Sequence, residues 1–452
     1  MGKSAKKTDE DKLKEESVRK HIEGFPTVES HYCRKNSTIR YIDEKLNQRK
    51  MHSMYVLQCQ GNNIPNNQIA SLKTYRQMFR RYKLRFYKPK KDQCSKCLAW
   101  KYKSVQERTP EGAEKIRVHL AQKELSYKLK DDDTQFVKLP ENRKELCVVT
   151  CDLQKTMSTP KGENGEFYYK SKFTTYNFTV FVSGEQQGYC YSWDQTTGKK
   201  GCTEITSCMW SFIKMQVEKG VKEFRIYSDN CAAQNKNQYP FSMYVMASIR
   251  FNIKITHRYL ESGHTLLQCD AMHARIENFM KNTDVFSPSQ WVTAMRMAKV
   301  NKPKYIVKVM DQEELLDFGP LAVHQGWDKI KTSQIREVTV SGEEPGKIKY
   351  KFLFENEPTE TQIMKPKKGR PINWLTFPLK KKYKTKFPVR ADILKGLQDL
   401  CKSGAIPAEH TSFYMEYLPS INQVEQVVEE SEVSDVGSEA GAESETEDSA
   451  DE

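Results

Sequence analysis

No stretch of this 452-residue sequence approaches the roughly 18 to 20 apolar residues needed to cross a bilayer. None follows the charged start MGKSAKKTDEDKLKEE as the core of a secretory leader would. The expectation is a chain that neither spans a membrane nor is secreted. A disulfide framework is lacking too: the 12 cysteines are scattered, and Cys147, Cys151, Cys190 and Cys208 sit inside apolar segments, as reduced core residues do. No heptad repeat argues for a coiled coil. Lys and Arg are missing altogether from residues 425–452, which hold 12 Asp and Glu. Setting those carboxylates aside turns the net charge of +14 into +26 for the remainder. Such an excess favours a polyanionic partner, because a basic surface attracts phosphate backbones by counterion release whatever their sequence.

What is present divides the chain unevenly. Hydrophobic residues make up 37%, enough for at least one sizeable core in a chain of this length. Residues 1–20 are charged and without periodicity, the texture of a disordered arm. Residues 21–140 read as a basic helical region. STIRYIDEKLNQRKMHSMYVLQ and IASLKTYRQMFRRYKLRFY space apolar residues by three and four with Arg and Lys between, while the loop GNNIPNN separates them too widely for a short helix-turn-helix.

From Glu145 the pattern changes. ELCVVTCDL, KFTTYNFTVFV and GYCYSWD read as strands, followed by helix EITSCMWSFIKMQVEKG, strand EFRIYSDN, helix NQYPFSMYVMASIRF, strand KITHRYLE and helix TLLQCDAMHARIENFMK. Three strands joined by short turns form an antiparallel meander. The later strands alternate with helices that must cross over and return parallel to the first. This order predicts an α/β, RNase H-like core over residues 145–300, a mixed five-stranded sheet with flanking helices. Residues 301–420 read as a small accessory region with strand-like runs KYIVKVM, REVTVSG and KIKYKFLF, a basic segment and the helix RADILKGLQDLCKSG, before the acidic tail at 425–452, which reads as disordered.

The chemistry predicted for this core rests on carboxylates. Asp152 ends the first strand and Asp229 the fourth, and parallel neighbours bring such residues together at the carboxyl edge of a sheet. Asp270, His273 and Glu277 are spaced to share one helix face. Crowded carboxylates repel one another unless hard cations neutralise them, so two Mg²⁺ or Mn²⁺ ions are expected, suited to in-line displacement at a phosphodiester. Asp152 is placed to bridge them. Asp229 and either Asp270 or Glu277 would each hold one, and His264 or His273 would orient a nucleophile or phosphate. Asn230, Gln234, Asn235 and Asn237 of SDNCAAQNKN offer uncharged hydrogen-bonding groups for phosphate or base contacts, or caps for the following helix.

YSDNCAAQNKN followed by YLESGHTLLQCDAMHARIE resembles a widespread family of transposon-derived animal proteins with a DDE transposase-type core. SHYCR, TIRYID, KPKKDQCSKC and IPAEHTSFYMEYL are similar to that family as well, over roughly residues 20–420. The resemblance implies DNA strand cutting and joining, with Asp152, Asp229 and a carboxylate of the GHT-to-IE segment in the catalytic positions. RNA is the alternative substrate, and a homodimer is an assembly it allows. A retained, catalytically inactive descendant that binds DNA or chromatin is the alternative function. One position departs: Ala233 stands where glycine is expected, and glycine there would permit positive φ or a close backbone approach.

Two further motifs stand apart. Cys94 and Cys97 form a CxxC knuckle that can bring two thiolates to one structural Zn²⁺, with His119 on the following helix as third ligand and His31 or Cys33 as fourth. KPKKGRP, with Lys367, Lys368 and Arg370, resembles an AT-hook for the minor groove of A·T-rich DNA, and with LKKKYKTK it equally suits nuclear import. The nucleus is the expected location.

Overall fold

The computed structural model describes residues 8–27, 40–42, 46–82, 84–86, 94–170, 172–323, 326–327, 330–364 and 373–422. The chain divides into two compact units, Met1–Gln93 and Cys94–Glu452. Among the described residues, no helix is long and apolar enough to cross a membrane.

The first unit consists of α1 (Asp9–Glu23), β1 (Arg40–Ile42), α2 (Gln48–Gly61), α3 (Leu72–Arg81) and β2 (Leu84–Phe86). Its core gathers Val18, Ile22, Met51, Tyr55, Tyr75 and Phe79. The expected arm at 1–20 is corrected here. Thr8 and Asp11 form a capping box at the start of α1, and Val18 and Ile22, four residues apart on one face, are fully buried. The ends of the two expected helical runs are strands, with Arg40 registered against Leu84 in a parallel pair.

The second unit contains α4 (Ser95–Tyr102), α5 (Pro110–Phe136), β3 (Leu146–Leu153), β4 (Met157–Thr159), α6 (Glu166–Tyr169), β5 (Phe173–Val182), β6 (Gln187–Asp194), α7 (Cys202–Glu218) and β7 (Glu223–Ser228). It continues through α8 (Ala232–Asn235), α9 (Gln238–Phe251), β8 (Lys254–Tyr259), α10 (Gln268–Phe279), α11 (Pro288–Met297), β9 (Ile306–Val309) and α12 (Gly319–Val323). Strands β10 (Glu337–Ser341), β11 (Lys347–Lys351), β12 (Thr359–Gln362) and helix α13 (Ala391–Lys402) complete it. The CxxC knuckle therefore belongs to this unit and not to the N-terminal helices.

The strands form one mixed sheet of ten, in the order β12, β11, β10, β8, β7, β3, β5, β6, β9, with β4 attached to β5. Its centre follows the expected element order. β3 runs antiparallel to β5 and β5 to β6, whereas β3 is parallel to β7 and β7 to β8. A five-stranded sheet is too small a description. The segment expected to be accessory extends both edges, β10 pairing antiparallel with β8 and β9 parallel with β6. Unpaired edge strands present open hydrogen-bonding groups, and these additions cover them.

Alternation along the strands sorts side chains to two faces. Val149 and Ile226 join Phe212 of α7 and Met246 of α9 on one side, while Val148 and Tyr227 join Met272 and Ile276 of α10 on the other. Helix α5 lies on that second side. Its buried residues are all polar: His119, Gln122, Lys123, Ser126, Lys130 and Asp133. Asp133 takes hydrogen bonds from Arg225 at 2.6 Å and from Tyr227 and Arg258 at 2.5 Å each, so charge pairing rather than apolar burial docks this helix.

Candidate functional site

Parallel register pairs Thr150 of β3 with Tyr227 of β7. Two residues further on stand Asp152, still in β3 and on the face covered by α10, and Asp229, the first residue past β7. That helix, which begins at Gln268 directly after the loop that follows β8, presents Asp270 in its first turn and His273 one turn on. One ligand atom each from Asp152, Asp270 and His273 lies within 4.8 Å of the others.

Each carboxylate has an oxygen held by the protein. Asp152 Oδ1 accepts from Leu153 N at 2.8 Å, Asp229 Oδ1 from Asn235 Nδ2 at 2.7 Å, and Asp270 Oδ2 from Leu267 N at 2.9 Å. Thr179 donates its single hydroxyl proton to the Asp152 carbonyl at 3.1 Å, so its oxygen accepts from His273 Nε2–H at 2.8 Å. His273 Nδ1 is then left with a lone pair directed at Asp152 Oδ2, 3.8 Å away.

The electrostatics are those of an uncompensated cluster. Burial, then the charges of Asp229 and Asp270, push the Asp152 carboxyl up to about 7. Burial also raises Asp229, against the opposing hydrogen bonds of the Cys231 amide and Asn235. His273 is pushed down to about 4 by burial and is neutral at ordinary pH. Asp152, Asp270 and the neutral imidazole of His273 are donors of the kind a divalent cation takes, while Asp229 lies outside that group and reaches Asp152 through its charge.

The expected residues part company in instructive ways. Of the two acids on α10, Asp270 joins Asp152, whereas exposed Glu277 accepts from Gln154 Nε2 at 3.4 Å. Glu277 lines an open cleft of about 370 Å³ with Lys155, Lys161, Lys172 and Lys281. Asn235 holds Asp229, as noted, and Asn237 caps α9 by accepting from Tyr239 N at 3.0 Å. Both make internal hydrogen bonds, Asn237 in the helix-capping role that was the alternative expectation. Asn230 donates to Ser262 Oγ at 3.2 Å, and Gln234 is half-buried. Ala233 lies in the turn of α8 and is not among the positive-φ residues, so its methyl group costs no backbone strain. Lys367, Lys368 and Arg370 lie outside the described residues, as does the acidic tail.

Sequence reasoning missed Lys236. Its fully buried ammonium donates to Asn230 Oδ1 at 2.5 Å, and burial, reinforced by Arg336, pushes it down to about 8 against the pull of Glu261 and Asp229. A lysine between asparagines in a loop-like stretch carries no spacing that could announce this. Thr179 and Gln154 were missed for the same reason.

His264 is a correction of another kind. It stands away from the carboxylate group, with Nε2 3.2 Å from Cys97 Sγ and 3.1 Å from His119 Nε2, while Cys94 Sγ lies 3.3 Å from His119 Nε2. One atom each from Cys94, Cys97, His119 and His264 falls within 4.8 Å of the rest. His31 and Cys33, the expected fourth ligands, lie outside the described residues.

Residues 169–334 match a family model described as a domain of unknown function (DUF7869). The match takes in Asp229, His264, Asp270 and His273, and begins after Cys94, Cys97, His119 and Asp152. No curated protein and no solved structure matches the chain.

Proposed function

We propose that the protein is a transposase-derived, divalent-metal-dependent nuclease or strand-transfer protein acting on DNA phosphodiesters, with an RNase H-like core. The observation that carries this reading is that Asp270 and His273 of α10 meet Asp152 at the end of β3 within 4.8 Å, with Asp229 beyond the end of the adjacent parallel strand close enough for its charge to raise Asp152. Strand order at the centre of the sheet, antiparallel then parallel about β3, supports the same assignment.

The donor set fits a bound metal. A neutral imidazole nitrogen and a carboxylate oxygen 3.8 Å apart are two donors of the kind a divalent cation takes, and drawing them together by under ~1 Å brings both to bonds of roughly 2.0 to 2.2 Å. Asp152, Asp270 and His273 would hold one ion, and Asp152 with Asp229 a second. Mg²⁺ or Mn²⁺ held there supplies an activated water or 3′-hydroxyl and charge stabilisation for the leaving oxygen. Leu153 N, Asn235 and Leu267 N fix the carboxylates beforehand, so no reorganisation is spent when substrate arrives. The lysines around Glu277, on the same helix as Asp270, offer a surface for phosphate.

Labelled DNA incubated with the full-length protein and Mg²⁺ or Mn²⁺, beside Asp152→Asn and Asp229→Asn, tests the reading. Metal-dependent cleavage or strand transfer lost in both variants is expected. Equal background in all three proteins with DNA still bound would replace it with a DNA- or chromatin-binding function.

A further inference from the structure

We infer that Cys94, Cys97, His119 and His264 bind one Zn²⁺, and that this centre clamps the loop between β8 and α10 that delivers Asp270. Four ligands from three places in the chain meet here. Cys94 caps α4 and Cys97 lies in its first turn, His119 is in the middle of α5, and His264 lies in the loop itself. Two thiolates and two imidazoles select a borderline-soft ion, and a fully protein-supplied tetrahedron is the arrangement of a structural zinc. An ion at ordinary bond lengths separates sulfur from nitrogen donors by roughly 3.6 Å and two nitrogens by roughly 3.4 Å. The corresponding distances here are 3.2 and 3.3 Å, and 3.1 Å.

The surroundings are built for such an ion. Glu261, only 2% exposed, accepts from His119 Nδ1–H at 2.9 Å, which fixes the tautomer that turns the Nε2 lone pair inward. Arg336 pairs with the same carboxylate. Gly263, at φ +75°, packs so closely that a Cβ there would meet Cys94 Cα and Cβ at 2.8 Å, so loop and knuckle are fitted to each other. The thiol pair needs a partner from outside α4, and the loop provides it.

The consequence runs along a few residues. Between Leu260 and Gln268 the loop is held by His264 in the cluster, by Tyr127 donating to the His264 carbonyl, by Lys130 donating to the Leu266 carbonyl, and by Asn230 donating to Ser262. Asp270 caps the helix that starts where this loop ends. The effect on catalysis rests on the nuclease reading, whereas the zinc centre does not.

The test uses reduced full-length protein, with metal content by mass spectrometry, the visible spectrum after Co²⁺ substitution, and hydrogen exchange across residues 260–270. Wild type is expected to hold about one zinc per chain and to give the intense spectrum of tetrahedral thiolate-bound cobalt. His264→Ala should lose most of it, while His264→Cys, which keeps four ligands, retains it and guards against mere misfolding. Exchange in the 260–270 peptides should rise on zinc removal. Zinc-free wild type, or equal zinc in His264→Ala, would overturn the site. Unchanged exchange would overturn the clamp. None of these readouts depends on DNA cleavage, so a failed nuclease assay leaves them standing.

Discussion

His273 Nδ1 and Asp152 Oδ2 face each other across 3.8 Å while the other ring nitrogen of His273 is committed to Thr179. Thr179 therefore decides which lone pair the site sees. Thr179→Val removes the acceptor without changing side-chain shape, and should weaken Mn²⁺ binding by roughly 10- to 100-fold, the usual effect of losing a ligand's supporting hydrogen bond. His273→Ala should weaken Mn²⁺ more than Mg²⁺, because imidazole favours the transition ion. Calorimetric titration of both metals into both variants is the check. Unchanged Mn²⁺ affinity in the two would remove His273 from the metal.

In metal-free protein the contribution of Asp152 to stability should fall as pH rises. Asp152 is raised from 3.8 to about 7 by burial and by Asp229 and Asp270. Between those values the unfolded chain has released this proton and the folded one retains it. Folding then takes up a proton, so stability falls through the window and levels off above about pH 7. The raised Asp229 adds to the slope. Asp152 should contribute a difference of the order of 2 kcal/mol between pH 5 and pH 8 in urea unfolding, opposed by His273, which at pH 5 is neutral in the folded chain and charged in the unfolded one. Asp152→Asn should flatten the difference, and Mn²⁺ should restore the wild type at pH 8. A wild type that loses no more stability than Asp152→Asn between pH 5 and pH 8 would contradict this assignment.

Asn235 separates a positioning role from a DNA contact. Its amide holds Asp229 Oδ1, and its carbonyl oxygen accepts from Tyr259 Oη at 3.0 Å. Asn235→Ala should cut the cleavage rate roughly 10- to 100-fold through Asp229, with DNA affinity and its salt dependence unchanged. A loss of affinity matching the loss of rate would return Asn235 to the nucleic-acid interface.

How far the sequence could reach differs from element to element. β3, β5, β7 and β8 are apolar or alternating runs ended by polar turns, and Asp152 and Asp229 mark strand ends, so the centre of the sheet and two of the carboxylates were legible. Helix α1 was not, because Val18 and Ile22 are isolated among charges, and two buried residues make no visible period. The full reach of α5 was hidden for a different reason: its buried face is polar, and hydrophobic periodicity cannot register it. His264 and His119 are 145 residues apart. Ligand spacing is informative only within a local motif, and SHYCR, nearer in the chain, offers the same residue types. The choice between Asp270 and Glu277 depends on where α10 sits along β3, which a shared helix face does not reveal.

Asp133 should be among the costliest positions to change. It pairs with Arg225 and Arg258, side chains 25% and 15% exposed, and accepts from Tyr227. Asp133→Ala leaves two guanidinium groups with less compensation, a loss of roughly 3 to 5 kcal/mol for a buried pair. Arg258 keeps Glu337 at 2.5 Å and Arg225 keeps Glu223 at 2.9 Å, which places the expectation at the low end. Chemical denaturation measures it, and a change below about 1 kcal/mol would make these pairs surface-like.

Gly263→Ala probes the fit between loop and knuckle with one methyl group. At φ +75° the substitution carries a backbone cost of roughly 1 to 2 kcal/mol. The new Cβ also meets Cys94 at its Cα, an atom on the backbone that no side-chain rotation can move aside. Something must shift, either Cys94 or the loop that carries His264. The variant should therefore melt earlier than wild type and release zinc faster to a chelator. Gly220→Ala is the matched control, because that glycine also has positive φ, at +97°, but no atom lies within 4 Å of an added Cβ. Both variants share the backbone cost, so only Gly263→Ala should alter zinc release. Equal release rates in the two would mean that the contact with Cys94 is not what holds the loop in place.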